Sequence, residues 1–487
     1  MTAEEFAEYI PHLTVTVTVL GTAVGTTLHA IFHKEDNRSA VGWIGLVWLS
    51  PLVGAVLYAL LGVNRIRRQA KTLRGQVPRY LRQQDAAQVL YAEDIATRFD
   101  TGEDSLSEIA RIGDVNIDRH LLGGNSFEPL YDGDEVYPAM LEAIGAAATS
   151  ITLLSYIFDN DPWGRRFVEA LAAARDRGVE VRVLIDAAGN RYSFPAIVHV
   201  LRKRKVKAET FLPSSLFPPY ILSVNLRNHR KILVVDGRVG FTGGMNIRAA
   251  CVIAESPRFP TRDLHFRVRG PVVAQLQEIF AEDWGFATRE VLDGEVWFPK
   301  LEHSGVVVAR GIPDGPDEDL DKLRWTLLGA ISSARRSIRI VTPYFLPDQP
   351  LREALIVARM RGVDVRIVLP GLNNLPFVAW AAMGELEPLL AADVEVCFSQ
   401  GIFNHSKLTT VDDAWALVGS PNWDPRSLRL NFEFAVECYD RDFVARMNRW
   451  IDDLQTGCAT YTLERHLARN FPTRLIHGIA RLGAPYL

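Results

Sequence analysis

Two short stretches of this sequence could do phosphoryl chemistry, and they share one spacing. The first holds His229, Lys231 and Asp236, followed by Gly243, Gly244 and Asn246. The second holds His405, Lys407 and Asp412, followed by Gly419, Ser420 and Asn422. In both, the lysine, aspartate and asparagine follow the histidine by two, seven and seventeen residues. A histidine can attack phosphorus or protonate a leaving oxygen near neutral pH. A lysine supplies a cation to phosphoryl oxygens. An asparagine and backbone N–H groups at a small-residue turn add neutral donors. Residues two apart on a strand share a face, so each His–Lys pair projects together. One motif provides one histidine; two facing motifs provide a nucleophile and a general acid. One such motif arises by chance in roughly 0.01 chains of this composition, so two in register exclude coincidence.

The elements that must position these residues repeat as well. LEAIGAAATSITLLSYIFD (141–159) matches LLGAISSARRSIRIVTPYFLPD (327–348), and AAARDRGVEVRVLID (172–186) matches IVARMRGVDVRIVLP (356–370). Helical periodicity alternates with short Val/Ile-rich runs, the pattern of β-α-β units. The expected fold class is therefore α/β, with two duplicated domains whose sheets are covered by helices. The boundaries are placed at 116–300 and 301–487, with a helical connector over 75–115.

Residues 1–74 read as a membrane anchor. Residues 40–63 run for 24 positions without a charge, and 13–32 are also uncharged but threonine-rich. Both suit transmembrane helices, although TVTVTV could also be an alternating strand. The acidic start MTAEEFAEY does not suit a secretory signal. Arg65, Arg67, Arg68, Lys71 and Arg74 follow the second run, whereas the loop between the two carries only Lys34 and Arg38. That bias predicts a multi-pass protein of the cell membrane with its C-terminal mass in the cytoplasm. Net charge is −4, from 54 basic and 58 acidic residues, which disfavours nucleic acid as a partner. The four cysteines form no C-x-x-C pair, and no ligand pattern for a metal is found, so no metal or cofactor is expected.

The paired motifs resemble those of the phospholipase D superfamily. The wider pattern resembles its bacterial cardiolipin synthases: YIFDNDPWG, NHRKILVVDG, FTGGMNI, RDLHFRVRGP, VTPYFLPD and VGSPNWDPRS, over nearly the whole chain. The resemblance implies phospholipase D-like domains in which His229 and His405 share one pocket, one forming a phosphohistidine and the other acting as acid, then base. It implies that Lys231, Lys407, Asn246 and Asn422, with Gly244 and Ser420 at the turns, bind the phosphodiester. Asp263 and Glu433 would hold the histidines, while Asp236 and Asp412 complete the motifs and look more structural. The implied reaction transfers a phosphatidyl group from one phosphatidylglycerol to another, without a metal or cofactor. A hydrolase or transferase using water or another alcohol, a nucleic-acid phosphodiesterase and a non-catalytic lipid-binding scaffold are the alternatives. The sequence departs from the family pattern at RAACV after MNI and at Thr261, where lipid or acceptor could be discriminated.

Several residues stay open between chemistry and packing. Trp423 could stack on a head group or fill the core. His265 shares a strand face with Asp263, and Tyr156 and Tyr344 occupy matched strand ends. RKRKVK (202–207) could meet lipid phosphates or be a solvated helix end. At the C-terminus, Leu463, Leu467 and Phe471, then Leu475, Ile479 and Leu482, recur at helical spacing among Arg465, Arg469, Arg474 and Arg481, with one acid, Glu464. This basic amphipathic pattern could dock on the protein or lie on an anionic membrane surface. Oligomeric state is not legible.

Overall fold

The computed structural model describes residues 3–34, 36–62, 85, 88–99, 106–212 and 226–483. The chain divides into two compact units, Met1–Gln69 and Ala70–Leu487. In the first, a helix runs over Ala3–His33. Its segment His12–His33, 22 residues, is long and apolar enough to cross a membrane. The TVTVTV run is helical, and its hydroxyls find partners inside the helix. Thr16, Thr18, Thr22 and Thr26 each donate to the carbonyl four residues back, at 2.7–2.8 Å. The second apolar run is not one continuous rod. It forms helices Asn37–Leu49 and Pro51–Leu57, with a break at Ser50, then a π-helical turn over Tyr58–Gly62. Pro51 cannot donate to the preceding turn, which accounts for the break. The run folds back on the first helix: Trp48 Nε1 donates to Thr27 Oγ1 at 3.1 Å, and Ala23, Ala30, Val47 and Tyr58 form a small core. The basic flank 64–74 lies outside the described residues.

The second unit carries two sheets of one design. Seven strands form the first: β1 (Leu121–Tyr131), β2 (Ser150–Ser155), β3 (Glu180–Asp186), β4 (Lys207–Phe211), β5 (Ile232–Val235), β6 (Val239–Gly243) and β7 (Leu264–Arg269). Their order is β4-β3-β2-β5-β6-β7-β1, parallel through the first three and antiparallel beyond. The second holds β8 (Val307–Asp314), β9 (Ser337–Val341), β10 (Asp364–Pro370), β11 (Glu395–Ser399), β12 (Leu408–Val411), β13 (Trp415–Gly419) and β14 (Asn431–Tyr439). Its order, β11-β10-β9-β12-β13-β14-β8, is the same. The sheets join where β8 pairs with β1, Val307 opposite Asn125. The α/β class and the duplication expected from the repeats are both present.

Local sequence explains the matched crossovers. Helix Pro162–Asp176 starts at the cap Asp161, which accepts from Gly164 N–H at 2.8 Å; helix Gln349–Met360 starts at Asp348, which accepts from Leu351 N–H at 3.1 Å. Each ends at an Arg–Gly pair, where Gly178 and Gly362 take φ of +93° and +92°. The helices cover strands whose inward residues, Ile151, Leu153, Val181 and Val183 in one half and Ile338, Ile340, Val365 and Ile367 in the other, are buried. Of the connector, helices Ala92–Phe99 and Leu106–Asn116 are described, and Ile95, Leu106 and Ile109 enter the second half's core.

Helix Val273–Thr288 is buried along most of its length and reaches both sheets. Gln275 accepts from Gly311 N–H of β8 at 2.7 Å, and Glu278 and Glu282 hold Arg119 at 3.2 and 2.9 Å.

Candidate active site

Each motif histidine sits just before a central strand, His229 ahead of β5 and His405 ahead of β12. Short extensions carry both across to the opposite half. The two-residue strand Arg227–Asn228 pairs with Asn431–Phe432, and His229 N–H donates to Phe432 O at 2.9 Å. Reciprocally, Phe403–Asn404 pairs with Thr261–Arg262, and His405 N–H donates to Arg262 O at 2.8 Å. The backbone thus lays each histidine beside the other half's acidic residue.

The carboxylates are exchanged accordingly. His229 Nδ1 lies 3.0 Å from Glu433 Oε2, and His405 Nδ1 lies 2.7 Å from Asp263 Oδ2. Both carboxylates are fully buried or nearly so. A carboxylate only accepts, so Nδ1 of each ring carries the proton and Nε2 presents its lone pair. Glu433 is itself fixed by the Ser420 hydroxyl at 2.5 Å and by Asn431 Nδ2 at 3.1 Å. Asp263 is fixed by Leu264 N–H at 2.9 Å, with Gly244 against it; a Cβ on Gly244 would stand 2.4 Å from Asp263 Oδ1. The N–H groups of Gly244 and Ser420 donate to Leu264 O and Phe434 O. What these two residues give the site is room and a hydroxyl at the carboxylates.

Lys231 and Lys407 are buried beside their histidines, and each Nζ donates to the carbonyl of the histidine two residues earlier. Lys407 Nζ also lies 2.9 Å from His405 Nδ1. Between His229 and Lys231, Arg230 points the other way. It ion-pairs with Asp283 at 2.8 Å and donates to Glu433 O at 2.9 Å, locking the first motif to the second half. Asn246 Oδ1 accepts from Ile157 N–H at 3.0 Å, leaving its NH2 as the remaining donor; Asn422 contacts Ser427 Oγ at 3.2 Å.

Asp236 and Asp412 sit at the far ends of β5 and β12 from the histidines. Asp236 accepts from the N–H groups of Ala148, Thr149 and Ser150 at 2.7–3.1 Å. Asp412 accepts from those of Arg335, Arg336 and Ser337 at 2.7–2.9 Å. Each ties the motif strand to the neighbouring strand's entry. Of the open residues, Tyr156 and Tyr344 face His229 and His405, with ring centroids 5.0 and 6.2 Å apart. Trp423 packs in the core and donates to Thr409 Oγ1 at 3.3 Å. His265 is fully buried, and among the described residues neither ring nitrogen has a hydrogen-bond partner. It lies opposite Gly243, whose φ of +153° and missing Cβ let the ring fit. Arg202 pairs with Glu209 at 2.5 Å, so part of RKRKVK serves local structure.

Burial and charge set the protonation states. Burial lowers the His229 pKa and, with Lys407 adjoining, takes His405 down to about 4. Burial opposes ionisation of Asp263 and Glu433, but Lys407 and His405 on one, and His229 and Lys231 on the other, hold both below their usual range. Burial lowers Lys231 to about 7 and Lys407 to about 8, against the pull of the two carboxylates. At neutral pH the site therefore holds two neutral imidazoles, two carboxylates and two lysines whose titration begins there. These lysines lose their charge as pH rises, so an anion binds less well on the alkaline side. Diethyl phosphate stays a monoanion throughout. Its affinity, read by calorimetry, should fall roughly tenfold or more between about pH 6.5 and 8.5. Lys407→Met should flatten that slope, and a pH-independent affinity in the unmodified protein would contradict the assignment.

No group of three His, Cys, Asp or Glu side chains able to hold a metal occurs among the described residues. The residues brought together are two buried imidazoles, each polarised by a carboxylate, beside two buried lysines. Comparison with known proteins shows the family. The family described as "Cardiolipin synthase, PLD-like domain" matches residues 140–284 and 327–455. A cardiolipin synthase of Staphylococcus aureus is 33% identical over 469 residues, covering 94% of this chain and 93% of its own. The major cardiolipin synthase ClsA of Bacillus subtilis is 31% identical over 472 residues, covering 93% and 95%. The crystal structure of a phosphatidylserine synthase from Haemophilus influenzae superposes with a TM-score of 0.59 at 14% identity, covering 78% of this chain and 98% of its own, which speaks to the fold. With the duplicated sheets, the paired motifs and these relatives, the chain belongs to the cardiolipin synthase family of phospholipase D-like proteins.

Proposed function

We propose that this protein is a membrane-anchored phosphatidyltransferase that joins two molecules of phosphatidylglycerol into cardiolipin and glycerol. The observation that carries the reading is the exchanged pair of His–carboxylate contacts, which supports two polarised imidazoles working on one phosphodiester. We take His229 as the nucleophile. Its Nε2 attacks phosphorus, the bond from phosphorus to the glycerol oxygen breaks, and His405 gives that oxygen a proton. A bound anionic phosphodiester favours the protonated form of His405 that this step uses. The hydroxyl of a second phosphatidylglycerol then attacks the phosphohistidine. His405 takes its proton, and the phosphorus–nitrogen bond breaks. Splitting the displacement keeps the phosphoester energy in the intermediate, so the reaction uses no nucleotide. Lys231, Lys407, Asn246 and Asn422 bind the phosphoryl oxygens. Asp263 and Glu433 orient the imidazoles, and Asp236 and Asp412 brace the strands.

We take residues 116–300 and 301–487 as the two domains, a reading supported by the matched strand runs Leu121–Arg269 and Val307–Tyr439. The two apolar N-terminal segments are proposed to cross the cell membrane as a hairpin. Arg65, Arg67, Arg68 and Lys71 after it would keep the catalytic part cytoplasmic.

The test is incubation of the purified full chain with phosphatidylglycerol alone, with and without exhaustive EDTA treatment. Cardiolipin with equimolar glycerol is expected, at a rate that EDTA leaves unchanged. Phosphatidic acid instead would make it a hydrolase, and absence of both products would refute catalysis on this lipid. A strict requirement for one added divalent ion would overturn the metal-free chemistry.

A further inference from the structure

The C-terminal amphipathic segment forms helices Leu463–Leu467 and Phe471–Leu482. The longer one packs on helix Pro376–Glu385, which follows β10 in the second half. Gly384 permits the close approach: a Cβ there would stand 3.1 Å from both His477 O and Arg481 Cβ. The face turned inward is the polar and small one. His477 and Ala480 are buried, and Arg469 Nη1 lies 2.6 Å from His477 Nδ1. Phe471, Leu475, Ile479 and Leu482 share the opposite face at helical spacing and are exposed, Phe471 and Leu482 at 76% each. An amphipathic helix in a water-surrounded domain turns its apolar stripe inward. This one does the reverse.

The partner helix continues the patch. Leu372, Leu375, Phe377 and Trp380 are exposed at its start and along its outer face. Six large apolar side chains on two packed helices, with Leu372 and Leu375 just ahead of one of them, exceed the scattered exposure normal for a soluble surface. Arg465, Arg474 and Arg481 border them, all exposed, with Glu464 as the one acid of that segment. The patch also connects to the chemistry. Val378, Ala381, Ala382 and Ala480 form one small core with Leu346, and Tyr344 packs against it. The Tyr344 ring faces His405, and its hydroxyl donates to Asn374 Oδ1 at 2.7 Å, just ahead of the patch helix.

We propose that the helix pair Pro376–Glu385 and Phe471–Leu482 is a docking surface for the interfacial region of an anionic phospholipid bilayer, set beside the second motif's histidine. Charge complementarity selects the occupant: arginines rimming an apolar stripe suit phosphate head groups above acyl chains. Docked in this way, the surface would bring head groups to His405 independently of the N-terminal helices. Its functional consequence rests on the phosphatidyl-transfer reading; its physical existence does not.

The experiment uses the full chain reconstituted into phosphatidylcholine vesicles containing phosphatidylglycerol. An environment-sensitive fluorophore is placed at Ile479→Cys, at Trp380→Cys and, for reference, at Val115→Cys, which is 86% exposed elsewhere on the unit. Cys251, Cys397 and Cys438 are buried, and the unsubstituted chain corrects for Cys458. Lipid-borne doxyl groups should quench positions 479 and 380 at least about threefold more than position 115. Equal quenching at all three overturns the proposal. In a second arm, Leu475→Glu/Ile479→Glu should slow glycerol release from vesicle phosphatidylglycerol at least about tenfold. It should leave release from a short-chain phosphatidylglycerol below its micellar concentration unchanged. Equal loss on both substrates, or loss on neither, counts against the surface. If the unsubstituted chain acts on neither substrate, the transferase reading fails, while the quenching arm still decides the docking surface.

Discussion

His229→Ala and His405→Ala should each lower phosphatidylglycerol turnover by at least about a thousandfold, with the double variant scarcely worse than either single one. The reason is shared work: one imidazole forms the covalent bond and the other moves the proton, so neither contributes alone. A site with one active histidine would behave differently, losing everything at one position and little at the other. Each ring is buried against a carboxylate, Glu433 or Asp263, so truncation also leaves a buried charge without its partner. The kinetic measurement therefore goes with a thermal melt. Glycerol release is measured on variants that still unfold cooperatively. More than a few per cent residual turnover in either single variant would refute the paired mechanism.

The motif histidines, lysines and asparagines were legible because their signal is local: a spacing, repeated once, on strand-forming sequence. The crossover helices were legible for the same reason, from helical periodicity alternating with Val/Ile-rich runs and closing on an Arg–Gly pair; their starts at Asp161 and Asp348 were not. The exchange of carboxylates was not. His229 and Glu433 are 204 residues apart, His405 and Asp263 are 142 apart, and no pattern within either stretch says which pairs with which. Two-residue strand pairings between the halves decide it. TVTVTV leaves a strand open by period two beside the helical reading; in the helix its hydroxyls bond to carbonyls four residues back. The break at Ser50 turns on one proline inside an otherwise uniform apolar run. The C-terminal segment showed its amphipathic character in sequence, but not which face it would turn outward. That depends on Gly384 and on small residues contributed by another helix.

Because the supports are exchanged, substitution of a carboxylate in one half should reproduce the defect of the histidine in the other. Glu433→Gln should resemble loss of His229, and Asp263→Asn should resemble loss of His405, each lowering turnover by about a hundredfold to ten-thousandfold. An amide can donate to Nδ1 and stabilise the tautomer that points its proton at phosphorus, which removes the Nε2 lone pair. A bis(p-nitrophenyl) phosphate substrate separates the two roles. Its leaving group departs without an acid, so formation of the intermediate then needs the nucleophile alone. Asp263→Asn should keep a burst of nitrophenol and accumulate a phosphohistidine, mapped to His229 by mass spectrometry. Glu433→Gln should show no burst. A label on His405, with the burst kept by Glu433→Gln, would reverse the roles while preserving the exchange. Near-normal turnover in both variants would refute it. The two carboxylates should also differ in degree. Glu433 keeps Ser420 and Asn431 as fixed neighbours, whereas Asp263, packed against Gly244, has among the described residues one such donor, the Leu264 N–H. The amide at 263 is freer to rotate away from the ring, so Asp263→Asn should leave His405 the less ordered of the two imidazoles. That disorder should show as a broader range of ring environments by NMR in Asp263→Asn than in Glu433→Gln.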